Sequence, residues 1–311
     1  MPALLAPLSW GVAVAGRLRR ARTVPKRVPI PVICVGNLVA GGAGKTPTAI
    51  HIGTWLRERG HVVHYLTRGY GGKLLGPVLV QPERHTFYDI GDEAFLLAQV
   101  APTWVSRDRA AGAVAAVAAG AEILILDDGH QNPSLHKDLS IIVVDGGFMF
   151  GNGRLVPAGP LREPIAIGLE RADAVIIVDN LGQKTASNDV PWFDGTPFRA
   201  RIVPTEGSNT YFNETVVAFA GIAQPEKLFV TLKALGANLL ACHSFGDHHV
   251  FRPDEIMQLV EFARGKNARL VTTRKDAIRL PLNARQMVEI LDIDLQFELP
   301  SALDEIIGPI I

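Results

Sequence analysis

The chain has little cysteine, no net charge and no apolar run long enough to span a bilayer, and each shortage removes a class of protein. Two cysteines in 311 residues, Cys34 and Cys242, lie far apart and without metal-type spacing. No disulfide framework is expected, and a reducing compartment is. Lysine plus arginine number 31 and aspartate plus glutamate 31, so the formal net charge is zero. No global field favours nucleic acid, and no such partner is expected. Repeats and low-complexity tracts are absent as well. What is present is a 48% hydrophobic composition, enough for a full core, in a length that suggests two domains.

The N-terminal run from Met1 to Gly16 is almost entirely apolar or small, with Leu4, Leu5, Leu8, Trp10, Val12 and Val14. It is shorter than the ~20 residues a spanning helix needs. A cluster of Arg17, Arg19, Arg20, Arg22, Lys26 and Arg27 follows it, whereas a secretory signal carries its positive charge first. Two readings remain: a helix lying in the membrane interface with its basic cluster on anionic headgroups, or a plain helix packed on the domain. Trp10 together with the arginines favours the first.

The stretch from Val32 to Thr48 reads as strand, glycine-rich loop and helix. An apolar run ends at Val35, glycines crowd at Gly41, Gly42 and Gly44, and Thr46-Pro47 opens a segment with apolar residues at Ile50, Trp55 and Leu56. This is the context of a phosphate-binding loop. The backbone of Gly41, Gly42, Ala43, Gly44, Lys45, Thr46 and Pro47 would surround nucleotide phosphates, Lys45 would reach the β- and γ-phosphates, and the Thr46 hydroxyl would take a position on Mg²⁺. One departure stands out: Val39 occupies the place of the first glycine in G-x-x-x-x-G-K-[ST], so a variant loop is expected.

Further along, a strand at His61–Leu66 leads into Arg68-Gly69-Tyr70-Gly71-Gly72, a loop of the kind found where parallel sheets place ligands. Gly91-Asp92-Glu93 precedes a short helix, where a carboxylate suits the N-terminus. Arg107 and Arg109 sit at the start of the alanine-rich helix 108–119, against the dipole preference, and so hint at an anion. The strand Ile123–Leu126 ends in Asp127-Asp128-Gly129, and an acid at the tip of a buried parallel strand is what phosphate-loop enzymes use to hold Mg²⁺. Another strand ends at Asp145, and the irregular segment Gly151–Pro164 then carries Arg154 and Arg162. Loops of that length in compact domains are often functional.

After a strand at Ala174–Val178 the chain turns polar from Asn180 to Pro197, and a composition shift places a boundary near residues 204–214. The second part alternates strand and helix again. Within it, Gly246-Asp247-His248-His249 forms a polar cluster after a strand. Adjacent histidines on an extended chain point to opposite faces, so a two-histidine metal site is not expected, while one of them could handle a proton. Thr272-Thr273-Arg274-Lys275-Asp276 reads as a structural turn. The expected organisation is an N-terminal apolar and basic segment over residues 1–27, a P-loop α/β domain with a mostly parallel sheet flanked by helices over 28–205, and a smaller α/β domain over 206–311.

In order and combination these segments resemble the tetraacyldisaccharide 4′-kinases of Gram-negative bacteria. The likeness covers nearly the whole chain: Val35-Gly36-Asn37 to Lys45-Thr46-Pro47, Arg68 to Gly72, Gly91-Asp92-Glu93, Asp127-Asp128-Gly129, Gly151 to Pro164, Phe219-Ala220-Gly221-Ile222 and Asp247-His248-His249. His130 stands where that family commonly has phenylalanine, and Arg274 where it commonly has an acid. The resemblance implies transfer of the ATP γ-phosphate to the 4′-hydroxyl of a membrane glycolipid, tetraacyldisaccharide 1-phosphate, with Mg²⁺, by a peripheral protein at the cytoplasmic face of the inner membrane. A monomer is expected. It also implies that Asp92 acts as base, paired with a histidine of the second domain, most readily His248, and that domain closure completes the site. Lys45 joins them in catalysis. Arg109 and Arg162 would lie near phosphates, Thr46, Asp127 and Asp128 would serve the metal, and Glu163 would serve the metal or the lipid site. A P-loop switch or metallochaperone-type NTPase fits the loop and the acidic strand tip equally well but needs neither the Asp92–His248 base nor a membrane-facing helix. A soluble small-molecule kinase would leave the apolar N-terminus as packing.

Overall fold

In the computed structural model, which describes residues 6–182, 189–205 and 211–311, the apolar runs read from the sequence become buried parallel strands. Leu4 and Leu5 lie outside the described residues, as do the side chains of Leu8, Trp10 and Val12 and the segments 183–188 and 206–210 of the polar stretches. The chain divides into two units. One holds the described residues up to Asp179, 189–200 and Phe297–Ile311; the other holds Asn180 to Gly182 and the described part of Arg201–Gln296.

The first unit opens with helix α1 (Ala6–Arg22), which continues through most of the arginine cluster. There follow β1 (Val32–Gly36), α2 (Lys45–Glu58), β2 (Val63–Thr67), β3 (Val78–Leu79), α3 (Phe87–Ile90), α4 (Asp92–Ala98), β4 (Thr103–Val105), α5 (Arg109–Ala118), β5 (Ile123–Asp127), β6 (Leu139–Asp145), α6 (Ile165–Leu169), β7 (Ala174–Asn180) and β8 (Phe198–Pro204). Together with β13 (Ile293–Phe297), the strand order is β13-β8-β7-β6-β1-β5-β2-β4-β3. From β7 to β4 the pairs are parallel, and β3 runs antiparallel to β4. Because β1, β2, β5, β6 and β7 are buried along their whole length, they carry near-continuous apolar residues rather than an alternating pattern.

The sheet is covered on both sides: Gly53 of α2 lies against Tyr65 on one face, and α5 lies over the opposite face. Ala113 and Ala116 of α5 pack on Leu66, Leu124 and Leu126, and the small residues of α5 let that helix lie close. A Cβ added at Gly112 would meet Leu66 Cδ1 at 2.6 Å, so that proximity is built into the sequence. Further along the same face, where the register sets Cys34 and Leu126 level with Ser140, a second cluster gathers Leu38, Ile142, Val144, Leu161, Leu169, Val175 and Ile177. Each such leucine or isoleucine contributes about 1.5–3 kcal/mol by leaving water. The register sets Val35 of β1 opposite Asp127 of β5, so the acidic tip of one strand is level with the start of the glycine-rich loop on its neighbour.

The second unit contains β9 (Thr215–Ala220), α7 (Glu226–Ala234), β10 (Asn238–Ser244), α8 (Pro253–Gly265), β11 (Arg269–Thr273), α9 (Arg274–Ile278) and β12 (Glu289–Leu291). Its parallel sheet has the order β10-β9-β11-β12. Alternation along β9 serves two cores: Val217 and Phe219 pack with Phe251, Ile256 and Leu270, whereas Val216 and Ala218 pack with Leu228, Leu232 and Val271. The five-residue run Thr272–Asp276, read as a turn, instead spans the end of β11 and the start of α9, whose N-cap Thr273 accepts from Asp276 N–H. Arg274, at the place of a family acid, pairs with Asp292.

Strand β13 (Ile293–Phe297) and helix α10 (Ala302–Ile307) close the chain. Phe297 and everything after it return to the first unit, where Leu303, Ile306 and Ile307 are buried, Phe297 meets the His51 ring at 5.7 Å, and Asp304 pairs with Arg59 at 3.6 Å.

Candidate active site

The loop between β1 and α2 takes its shape from two glycines. Gly41 and Gly44 have φ of 119° and 91°, backbone that L side chains rarely adopt. Gly44 is also the N-cap of α2, and that helix start has neither a side-chain cap nor an acid in its first turn. An anion is the partner such an N-terminus accepts. Val39 departs from the loop pattern for a packing reason: it is buried, it bridges antiparallel to Leu161, and Ala40 N–H donates to Pro160 O at 2.7 Å. The irregular segment Gly151–Pro164 is therefore fastened to the phosphate-type loop.

That fastening delivers Arg162. Its N–H donates to Leu38 O at 2.8 Å, and its guanidinium reaches Asp128 Oδ1 at 2.6 Å. Lys45, itself buried, places Nζ 3.9 Å from the same oxygen. Burial alone would raise the Asp128 carboxyl, but Lys45 and Arg162 outweigh it and hold the group below its ordinary value. Next to it, the Thr46 hydroxyl donates to Asp127 Oδ2 at 2.9 Å in a fully buried contact. Asp127 Oδ1 has no partner among the described residues, and burial, seconded by the charge of Glu93, drives its carboxyl well above the usual range. A buried hydroxyl and a carboxylate with an open oxygen form a hard donor set, which fits Mg²⁺.

Glu163, expected to assist the metal, is engaged differently. Its two carboxylate oxygens accept from Arg171 Nη2 at 2.8 Å each, from Arg20 Nη1 at 3.1 Å and from Gln131 Nε2 at 3.0 Å. It is the hub that ties α1 to the segment after Asp128. Gln131 also donates to Asn37 O at 2.8 Å, and Lys137 Nζ donates to His130 O and Asn132 O at 3.1 and 2.7 Å. Sequence reading passed over Lys137 and Arg171 and gave Gln131 no role; Gln131 alone of the three bonds to partners more than 30 residues away. Asn37 it quoted but left without a role; both polar side-chain atoms of this fully buried residue lack partners among the described residues. Ser9 adds a second tie, its hydroxyl donating to Leu155 O at 2.9 Å.

Arg109 is buried at the first position of α5, beside the N-cap Asp108, and donates to Ser106 O at 2.7 Å. Its Nε has no partner among the described residues, and burial, with the nearby charge of Arg68, pulls its pKa down to about 10. Arg68 and Arg107, with Gly69, Tyr70, Gly71 and Gly72, line a cleft of about 410 Å³. Asp92 begins α4 behind Gly91 and is buried, accepting from Glu93 N–H at 2.9 Å.

His248 and His249 belong to the second unit and have different surroundings. His249 Nε2 lies 3.0 Å from Glu255 Oε2, and its ring stands between those of Phe245 and Phe251 at 4.9 and 5.1 Å. His248 has φ of 58°, donates its N–H to Gly221 O at 3.0 Å, and keeps its imidazole 3.7 Å from Asp247 Oδ2.

A glycine-rich loop at the carboxyl end of a central parallel strand, a lysine and threonine opening the helix, and paired acids on the adjacent strand tip define a P-loop nucleotide-binding protein. The family model described as LpxK, tetraacyldisaccharide-1-P 4′-kinase, matches residues 1–310, and the chain belongs to that family. Among its relatives, the tetraacyldisaccharide 4′-kinase of Rhodospirillum rubrum is 49% identical over 99% of this chain and 94% of its own length. That of Rhodospirillum centenum is 48% identical over 100% and 92%. A crystal structure of LpxK from Aquifex aeolicus, in complex with ATP, superposes with a TM-score of 0.75 at 28% identity, covering 99% of both chains.

Proposed function

We propose that this chain is an ATP-dependent lipid kinase that transfers the γ-phosphate of ATP to the 4′-hydroxyl of tetraacyldisaccharide 1-phosphate, forming lipid IVA. The observation that carries the reading is the Thr46–Asp127 contact of 2.9 Å beneath a helix start with no side-chain cap, inside a family of that activity. Nucleotide phosphates take the N-terminus of α2 and the Lys45 ammonium, while Arg162 and Arg109 supply further positive charge. Thr46 and Asp127, with Asp128 beside them, would hold Mg²⁺, which when bound spreads the negative charge of the phosphates. Asp92 takes the proton of the attacking hydroxyl, and His248 is the further proton-handling group. Asp128 keeps Lys45 and Arg162 aimed at one place, so its own role is positioning as much as ligation. Family membership removes the ground for reading the loop as an NTPase switch.

Among the described residues no helix is long and apolar enough to cross a membrane. Helix α1 nevertheless presents Val14 and Leu18 to solvent beside the exposed Arg17, Arg19 and Arg22. These residues support a peripheral contact with anionic lipid at the cytoplasmic face of the inner membrane, by a monomer. The decisive assay follows label from [γ-³²P]ATP, with Mg²⁺, into tetraacylated glucosamine disaccharide 1-phosphate in mixed micelles. Label in the lipid that is lost in Lys45→Ala is the expected result. Release of free phosphate alone, with no labelled lipid, would refute the kinase reading.

A further inference from the structure

Asp276 and Arg279 form an ion pair whose side chains are 0% and 1% exposed. Buried pairs of this kind are weak sources of stability, and apolar residues of similar volume often serve a core as well or better. What the pair holds is therefore informative. Asp276 Oδ1 accepts the N–H of Gly221 at 3.0 Å, Oδ2 accepts the Thr273 hydroxyl at 2.6 Å, and Arg279 Nη2 donates to Gly221 O at 2.9 Å. Both backbone groups of one glycine, immediately after β9, are gripped from the same side.

The carbonyl of Gly221 has a second donor, the N–H of His248 at 3.0 Å. His248 is the third residue of a turn closed by His249 N–H to Gly246 O at 3.0 Å, and its φ of 58° is one that a turn normally gives to glycine. A histidine kept in that backbone conformation is a strained choice that the surroundings must enforce. Space around Gly221 is equally tight: a Cβ there would lie 3.2 Å from each of Asp276 Oδ1, Gly246 O and His249 Cβ. We infer that the Asp276–Arg279 pair is a positioning device for His248, acting through the two backbone groups of Gly221. His249 needs no such support, since Glu255 and two aromatic rings already fix it. The inference rests on the reading of His248 as the proton-handling group, and it gives the Phe219–Ile222 and Lys275-Asp276 motifs one common purpose.

The test uses the full-length chain and the double variant Asp276→Leu/Arg279→Met, which removes the grip while keeping the core apolar, with Arg279→Lys as a milder companion that keeps the charge but not the planar fork. Amide hydrogen exchange at His248 reads the positioning directly. Protection should fall in the double variant and less so in Arg279→Lys, and unchanged protection in both overturns the inference whatever the kinetics. Kinase turnover in micelles reads the consequence: kcat should drop on the order of 10-fold to 10²-fold, as for a misplaced group, with KM for ATP unchanged. Added to His248→Ala, the double variant should cost nothing further; a full additional loss would show a merely structural role and overturn the inference. Wild-type turnover of His248→Ala alone would overturn the catalytic reading, a failure seen separately from the exchange result.

Discussion

His130 gives the protein an acid sensitivity that a single substitution should remove. The ring is 2% exposed, Nε2 lies 2.9 Å from Gly168 O, and Nδ1 has no partner among the described residues. Burial first, and then the charge of Arg171, pulls its pKa from 6.5 to about 4. Above pH ~6.5 the ring is neutral in both folded and unfolded chains and has no linkage effect. As pH falls from there toward 4, the unfolded chain binds a proton that the folded one refuses, so stability declines, and it levels off only below the folded pKa. A shift of that size corresponds to about 3 kcal/mol, of which roughly 2.5 kcal/mol is lost by about pH 4.5. For a unit of this size that is a fall in Tm of about 5–10 °C. Phenylalanine, the residue common here in the family, cannot bind the proton. His130→Phe leaves Gly168 O without its donor, a loss of about 1 kcal/mol at neutral pH. The two Tm-against-pH curves should therefore cross: the variant slightly less stable near pH 7.5 and clearly more stable near pH 4.5. Thermal unfolding followed by circular dichroism over that range decides it. Parallel curves would refute the argument, because they would mean that His130 titrates as freely folded as unfolded.

Asp92→Ala should lower turnover by more than about 10²-fold, the scale of a lost general base, with ATP affinity kept by calorimetry; near-wild-type turnover would end that assignment. Removal of residues 1–22 should abolish sedimentation with anionic vesicles, and the intact chain should lose the same binding at about 1 M salt, where screening shortens to ~3 Å; binding that survives both changes would return α1 to a packing role. Gly53→Ala places a Cβ 2.0 Å from the Tyr65 hydroxyl and should destabilise by about 1–3 kcal/mol in urea denaturation, an effect that Tyr65→Phe should partly relieve.

Much of the site was legible because its chemistry is local in sequence. Gly44-Lys45-Thr46 comes one short glycine-rich loop after a β-branched strand, and Asp127-Asp128 stands at the tip of another, so residue type and order reveal loop and strand tip before any packing is known. The strands were equally plain where both faces are buried, as in β1 and β5, since a continuous apolar run leaves little else to fold into. Roles set by distant partners were not legible. Glu163 looked like a metal acid, yet its carboxylate accepts from Arg20, Gln131 and Arg171, residues that sequence spacing cannot bring together. Asp276 looked like a turn acid because Gly221, which it grips, lies far upstream, just past the end of another strand. Short elements such as β3, α6 and β12 carry too few residues for a periodicity to declare itself. Nor does composition announce that Phe297–Ile311 belongs with the opening part of the chain.

That last feature bears on the order in which the protein can be made. A ribosome emits the residues of the first unit early, but α10, with Leu303, Ile306 and Ile307, emerges only after the whole of Arg201–Gln296 has been synthesised. Domains generally form as they appear, so the bulk of the second unit, Arg201–Gln296, can fold while the nascent first unit still lacks the residues that cover part of its core. The emergence of α10, rather than completion of the sheet around the phosphate loop, then becomes the event that finishes the nucleotide-binding half.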